Sequence, residues 1–167
     1  MVVLDNLSTG FRWAVAPQAT LIEGDFGDAA LVGDLLARYE VDAIIHFAAK
    51  IVVPESVADP LGYYENNTAK ARTLLAQAVA AGAPHFIFSS TAAVYGEPRE
   101  SPVTEDTPKE PINPYGRSKL MVEWMLADVA AAVVLPDFKV KFEAVNALGT
   151  MVSPKAKEKL VTPLLAA

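Results

Sequence analysis

Short apolar runs alternate along the chain with longer stretches in which apolar residues recur at helical spacing. An apolar run without alternation is typical of a strand buried on both faces, as in a parallel sheet. We predict strands of this kind at Val2–Leu4, Asp42–Phe47 and His85–Ser90, and a weaker one at Thr20–Glu23. The strand at Asp42–Phe47 is short and is expected to be covered on both sides.

Three stretches carry apolar residues three and four positions apart, the spacing of one helix face. They predict helices at Ala29–Tyr39, at Asn66–Ala81 with Gly82 as the terminating cap, and at about Tyr115–Ala131. A surface loop rich in Pro, Glu and Asp, residues 97–114, precedes the last of these. Strands that alternate with helices predict an α/β fold with a parallel sheet flanked by helices.

After the third helix the pattern changes. Phe138–Ala144 alternates apolar and charged side chains, which is typical of a half-exposed strand. Ser153–Leu165 predicts a short helix, interrupted by Pro163. We therefore divide the chain into an α/β domain at residues 1–132 and a divergent tail at residues 133–167.

Composition and charge exclude several classes of protein. The chain has 167 residues, of which 52% are hydrophobic and 20% are charged, so a globular domain with a real core is expected. The net charge of −6 opposes a nucleic-acid surface, and no apolar run reaches membrane-spanning length. With no cysteine and two histidines, we predict no disulfide, no metal centre and a cytoplasmic protein.

Tyr115 and Lys119 form the strongest chemical signal in the sequence. Four residues apart on a helix, the two side chains lie on the same face, one turn from each other. Tyrosine is a weak base at neutral pH, but a nearby ammonium favours its phenolate. A Tyr and a Lys at this spacing also occur by chance on helix surfaces, so the pair alone leaves both interpretations open.

A second cluster of polar side chains follows the fourth predicted strand. Ser89, Ser90 and Thr91 place three hydroxyl groups where that strand ends. Ligands of parallel α/β folds bind at the carboxyl ends of the strands, so these hydroxyls are candidates for a site. An ordinary Ser/Thr turn is the alternative interpretation.

Together the two clusters resemble the paired active-site motifs of the UDP-glucose 4-epimerases, NAD-dependent enzymes of the extended short-chain dehydrogenase/reductase class. The motifs are Ser89-Ser90-Thr91-Ala92-Ala93-Val94-Tyr95-Gly96 and Asn113-Pro114-Tyr115-Gly116-Arg117-Ser118-Lys119. A dehydratase normally has an acidic pair after the active-site hydroxyl, and Thr91-Ala92-Ala93 lacks one, which favours an epimerase. The resemblance implies a Rossmann-like fold and NAD as the cofactor.

Four further stretches resemble cofactor-contacting segments of the family, in the same order along the chain. They are Leu4–Ser8 after the first strand, the adenine-contacting Gly24-Asp25-Phe26, the loop at His46–Ala49, and the asparagine motif at Tyr63–Asn67. The resemblance thereby implies that NAD is contacted by Asp5, Asn6, Asp25, Phe26, Phe47, Ala48, Ala49, Asn66, Tyr115 and Lys119.

The resemblance also implies catalytic roles, a substrate and a partner. Tyr115 removes the proton of the sugar's 4-hydroxyl while NAD takes the hydride from the same carbon. Lys119 favours the phenolate and holds the nicotinamide ribose, and Thr91 hydrogen-bonds the 4-oxygen. The implied substrate is a UDP-sugar. The implied partner is a second copy of the chain, bound through the helices near Asn66–Ala81 and Tyr115–Ala131.

The sequence departs from the family pattern before Asp5 and after residue 131. The family opens with a strand and a Gly-rich turn that hold the pyrophosphate, whereas no G-x-G-x-x-G occurs here. No match to the sugar-binding C-terminal lobe is found. We therefore expect a partial Rossmann-like domain lacking the first strand and the Gly-rich turn, with weak NAD binding and no turnover by the chain alone. The alternative is a non-catalytic α/β fragment or an oligomerisation or binding module.

The unmatched first strand is central in the family's sheet, so a gap is expected there. Unpaired buried backbone groups cost about 1–3 kcal/mol each, and the flanking strands are expected to close up. We predict that Val2–Leu4 pairs with Ile44–Phe47 or with a partner chain. The charges of Phe138–Ala144 are too costly to bury in the gap, so that segment is expected at a sheet edge or outside the sheet.

Overall fold

The computed structural model of the chain describes residues 1–83 and 85–132 and the backbone of residues 139–143. This part of the chain forms the strands β1 (Val2–Asp5), β2 (Thr20–Glu23), β3 (Ala43–His46), β4 (His85–Ser89) and β5 (Lys139–Glu143). Its helices are α1 (Ala29–Tyr39), α2 (Val53–Ala58), α3 (Pro60–Tyr64), α4 (Lys70–Ala80) and α5 (Pro114–Ala132). One π-helical turn at Glu65–Ala69 joins α3 to α4.

The strands form two parallel sheets rather than one. β1 pairs with β2, and β3, β4 and β5 form a second sheet in that order. Among the described residues no ladder joins β1 to β3, so the predicted direct pairing of Val2–Leu4 with Ile44–Phe47 is wrong. The alternative, pairing of Val2–Leu4 with a partner chain, stays a prediction. Leu4 and Ile44 instead pack against the same core, which holds the two sheets together through side chains. β5 lies at a sheet edge beside β4, which confirms the edge position predicted for Phe138–Ala144.

Local sequence signals set the helix ends. Asp28 caps α1, and its carboxylate accepts two backbone N–H groups at 3.0 Å. The helix predicted at Asn66–Ala81 begins earlier, because Asp59 caps α3 and the π-helical turn carries the chain on into α4. Gly82, with a φ of 68°, follows α4 as predicted. The helix predicted at Ser153–Leu165 lies outside the described residues. Of the helices described, none is long and apolar enough to cross a membrane.

The hydrophobic core lies on one face of the sheets. Helices α1, α4 and α5 pack there over Phe86 and Phe88 of β4. Side chains of a strand alternate between faces, and Ile45, on the other face of β3, is 55% exposed. Phe47, just after the strand, is 64% exposed. The two-sided burial predicted for Asp42–Phe47 is therefore wrong, because the three predicted helices all pack on the same side.

Candidate active site

The turn that follows β4 begins at Thr91. Thr91 caps a single 3₁₀ turn at Ala92–Tyr95, and its hydroxyl oxygen accepts the N–H of Ala93 at 3.2 Å. The first turn of α5 lies against this turn, since a Cβ at Gly116 would come within 2.6 Å of the Ala93 carbonyl oxygen. Glycine alone allows that approach. It brings Tyr115, the neighbour of Gly116, to the turn that carries Thr91.

The start of α5 is fixed by its own sequence. The side-chain oxygen of Asn113 accepts the N–H of Gly116 at 2.8 Å, and Pro114 is the first helical residue. One turn on, the Ser118 hydroxyl donates to the carbonyl oxygen of Tyr115 at 2.7 Å. The side chain of Tyr115 is partly exposed, which a residue that meets a substrate requires.

Lys119 lies one turn beyond Tyr115 and is only 3% exposed. Its Nζ donates to the carbonyl oxygen of Ser89 at 2.8 Å and lies 4.7 Å from the centroid of the Phe88 ring. Burial lowers the pKa of Lys119 from 10.5 to about 8. An ammonium has three donors, and within the described part of the chain one of them has a partner. The other two suit the hydroxyl groups of a bound ligand.

Asn67 holds the loop after β3 against α5, and sequence reasoning did not single it out. It is buried in the π-helical turn, a feature often found at functional sites. Its amide exchanges two hydrogen bonds with the backbone of Lys50, at 2.8 and 2.9 Å, and donates a third to the Ser118 hydroxyl at 3.1 Å. Asn66, the predicted cofactor contact, is partly exposed and donates to Asn67. The sequence signal that could have pointed to Asn67 is the pair of adjacent asparagines in a predicted helix.

The predicted adenosine contacts cluster at the ends of β1 and β2. One carboxylate oxygen of Asp5 accepts a backbone N–H two residues on, at 2.7 Å. The Asp25 carboxylate accepts a backbone N–H at 2.8 Å and Nζ of Lys70 at 2.6 Å, and the side-chain oxygen of Asn6 accepts the backbone N–H of Ser8 at 3.0 Å. Burial raises the pKa of Asp25, but the hydrogen bond from Lys70, the backbone N–H and the charge of Lys70 together hold it below its usual value.

The other predicted cofactor contacts divide between core and surface. Phe26 is 9% exposed, and its ring centroid lies 4.9 Å from that of His46, so its side chain belongs to the core rather than to a ligand surface. Phe47 and Ala48 are exposed, and Ala49 is partly exposed, in the loop after β3. The structure thus assembles one group of side chains at β4 and α5 and another at β1 and β2.

Parallel strands that end in polar loops, an acid at the end of β1 and a Tyr–Lys pair on α5 define a Rossmann-like dinucleotide-binding domain. Residues 1–149 match the model of the NAD dependent epimerase/dehydratase family, so the match continues through β5. The chain belongs to this family. NAD is the cofactor of the family, as predicted from the motifs.

Curated relatives with similar sequences are UDP-glucose 4-epimerases. The one from Azospirillum brasilense is 53% identical over 131 residues, which make up 78% of this chain and 38% of the relative. The one from Corynebacterium glutamicum is 39% identical over 166 residues, which make up 99% of this chain and 50% of the relative. The chain thus spans between 38% and 50% of the length of these relatives.

Solved structures agree with the sequence relatives. The UDP-glucose 4-epimerase from Brucella ovis in complex with NAD is 43% identical, with a TM-score of 0.78 over 86% of this chain and 42% of that one. The Bifidobacterium longum enzyme in complex with NAD+ and UDP is 37% identical, with a TM-score of 0.79 over 84% of this chain and 44% of that one. The predicted Rossmann-like α/β fold is confirmed.

Proposed function

We propose that this chain takes part in the NAD-dependent inversion of C4 of a UDP-hexose, the reaction of a UDP-glucose 4-epimerase. The observation that carries the proposal is the burial of Lys119 one helical turn from Tyr115, with its Nζ bonded to the strand end that leads into Thr91. A buried ammonium is costly to keep without a counter-ion, and the described residues place none on it. Side chains whose pKa is shifted by burial cluster at functional sites.

In this proposal Tyr115 is the base that takes the proton of the sugar's 4-hydroxyl. Lys119 lies one turn away on the same helix and supplies a positive charge to the site. The Thr91 oxygen already accepts the N–H of Ala93, so its O–H remains to donate to the sugar's 4-oxygen as carbonyl character develops there. NAD, when bound, supplies the hydride acceptor for C4 and then the hydride donor to its opposite face.

The side chains present fit this cofactor at both of its ends. Two donors of Lys119 remain for the hydroxyls of the nicotinamide ribose. Asp5 gives one oxygen to a backbone N–H, which leaves acceptor capacity for the adenosine ribose hydroxyls. Asn66 is accessible beside the buried Asn67. The carboxylate of Asp25 is the most heavily engaged of the proposed contacts.

A groove of about 660 Å³ on α3, α4 and α5 supports a second copy of the chain as the partner. Its lining includes the apolar side chains of Leu61, Met121 and Met125, together with the opposite charges of Glu65 and Arg72. A two-fold interface brings each patch onto its own copy, so apolar side chains meet and opposite charges can pair across the axis. We therefore propose a homodimer through these helices.

A single-turnover measurement on the 167-residue chain tests the reaction. The chain is mixed with UDP-glucose in stoichiometric amount, and NADH formation is followed by its near-ultraviolet absorbance. NAD is supplied in large excess, because the sequence contains no Gly-rich turn for the pyrophosphate and weak binding is expected. No complete catalytic turnover is expected of the chain alone, so the measurement follows only the first hydride transfer. For that step we expect NADH from the wild-type chain and from Asp34→Asn, a surface control, and none from Tyr115→Phe.

The possible outcomes separate the two candidate functions. Sugar-dependent NADH formation that Tyr115→Phe abolishes supports the epimerase reaction. NAD binding without NADH formation favours the alternative, a non-catalytic binding module. A chain that binds no NAD at any concentration contradicts both the cofactor and the reaction.

A further inference from the structure

Glu123 lies on α5 one turn beyond Lys119, and its side chain is only 7% exposed. One carboxylate oxygen accepts the hydroxyl of Ser90, and the other accepts Nζ of Lys109 at 2.5 Å. The reaction proposed above uses none of these three groups. The cluster therefore takes no direct part in that reaction.

The first arm of the cluster is the hydrogen bond from Ser90 to Glu123, which lies at the end of β4. Ser90 is 5% exposed and lies between Ser89, whose carbonyl oxygen accepts Nζ of Lys119, and Thr91. The end of β4 is thus attached to α5 at two consecutive residues, by Lys119 through Ser89 and by Glu123 through Ser90. Thr91 is the next residue along the chain.

The second arm is the ion pair between Lys109 and Glu123. It reaches the loop of residues 96–113, between the Thr91 turn and α5. Lys109 belongs to this loop, and 37% of its side chain is exposed, so the ion pair joins a surface segment to a buried carboxylate. Burying a carboxylate is costly even when it is paired, and apolar side chains of similar volume are often as stabilising or more so. Stability alone does not account for an acid at this position.

We infer that Glu123 is a positioning residue, which fixes Thr91 through Ser90 and holds the 96–113 loop through Lys109. The inference rests on the proposed function for the task of Thr91 alone. Because the arms use different oxygens, they can be released one at a time. Ser90→Ala removes one of the two attachments of the strand end and keeps the ion pair. Glu123→Gln keeps an acceptor for Ser90 but presents no charge to Lys109.

Two readouts that require neither NAD nor turnover separate the arms in the full chain. Trypsin cleavage after Lys109 is compared with cleavage after Arg99 in the same loop, so that general loosening of the fold cancels in the ratio. The methyl resonance of Thr91, assigned with Thr91→Ser, reports the strand end in a carbon–proton NMR spectrum. Asp34→Asn, which removes a surface ion pair with Arg38, is the matched acid-to-amide control.

We expect Glu123→Gln to raise the cleavage ratio of Lys109 to Arg99 about tenfold, the effect of one lost charged hydrogen bond, and to leave the Thr91 resonance in place. Ser90→Ala is expected to move the Thr91 resonance and to leave the ratio within about twofold. It should also slow NADH formation about tenfold without weakening NAD binding. The control should change none of these readouts.

A purely structural role predicts another pattern. Both variants would then raise cleavage at both sites together, and the Thr91 resonance of the folded chain would not move; this result, or no change at all, would overturn the inference. If Glu123→Gln does not fold, Lys109→Met releases the same arm, and cleavage by glutamyl endopeptidase after Glu105 relative to Glu100 replaces the trypsin ratio. A wild-type chain that forms no NADH counts against the proposed function, whereas the two NAD-free readouts still decide the inference.

Discussion

In the proposed catalytic region, formed by β4, the turn after it, the π-helical turn and α5, polar side chains are held by partners far away in the sequence. Asn67 and Ser118 are 51 residues apart, Ser90 and Glu123 are 33 apart, and all four are buried. In the adenosine region, formed by β1, β2 and the loops after them, the carboxylates are partly exposed. There Asp5 is bonded to a backbone N–H two residues on.

This difference determines what each region can do. Water competes little for buried polar groups, so the long-range bonds of the catalytic region are strong and fix its geometry, as a proton transfer requires. Apart from the ion pair between Asp25 and Lys70, the bonds of the adenosine region are formed by local turns and leave acceptors open to a ligand. Substitutions should therefore lower the reaction rate and the stability strongly in the catalytic region and only weakly in the adenosine region.

The largest effect is expected at Lys119. Lys119→Met keeps the approximate shape of the buried side chain but removes its positive charge and its hydrogen-bond donors from the proposed site. We expect the single-turnover rate of NADH formation to fall about 10³-fold, within the range of general acid–base catalysis, with an unchanged circular dichroism spectrum. The counterpart Asp5→Asn should weaken NAD binding and leave the rate at saturation nearly unchanged. Equal losses of rate in Lys119→Met and Asp5→Asn would show that the two regions do not differ in this way.

Truncation of the core is expected to rank next. Leu126 of α5 is fully buried, and Leu126→Ala should lower the free energy of unfolding by about 2–5 kcal/mol. Leu4 of β1 is partly buried against the same core, so Leu4→Ala should cost about 1 kcal/mol. Urea unfolding measures both, provided that the slope of each transition is unchanged. Similar costs at the two positions would show that β1 is packed as firmly as α5.

The buried ammonium also predicts a pH dependence confined to the catalytic region. Burial lowers the pKa of Lys119 from 10.5 to about 8, so between these values the unfolded chain holds a proton that the folded chain has lost. Stability therefore rises with pH across this window, and the gain is absent below pH 8. Relative to that of Lys119→Met, the free energy of unfolding of the wild-type chain should rise by up to about 3 kcal/mol from pH 8 to pH 10.5. Parallel stability curves for the two chains would contradict this.

The sequence predicted the strands and helices better than the contacts between them. Strand and helix patterns depend on neighbours one to four positions away, which periodicity and turn residues record. The attachments of Asn67 and Glu123 depend on partners 51 and 33 residues away, and no local pattern encodes such a pair. The two errors in the fold have the same origin. An apolar run at Asp42–Phe47 shows that a strand can be buried, and not which helices cover it.

The smallest effect is expected at the ion pair between Lys70 and Asp25, which joins α4 to the end of β2 at 2.6 Å. The two side chains are 28% and 35% exposed, so water and salt screen their attraction. Lys70→Met should therefore lower the free energy of unfolding by less than about 1 kcal/mol, and by still less in high salt. The stability that the lowered pKa of Asp25 contributes is present above its usual value of 3.8 and is lost as the pH falls through the folded value, so the difference between the two chains should also vanish in acid.

Urea unfolding at two salt concentrations measures the effect of Lys70→Met, with Asp34→Asn as a control for an exposed pair. A loss of about 2 kcal/mol or more that salt does not reduce would place Lys70 among the firmly coupled groups. The two regions would then differ in burial but not in how strongly distant residues hold them.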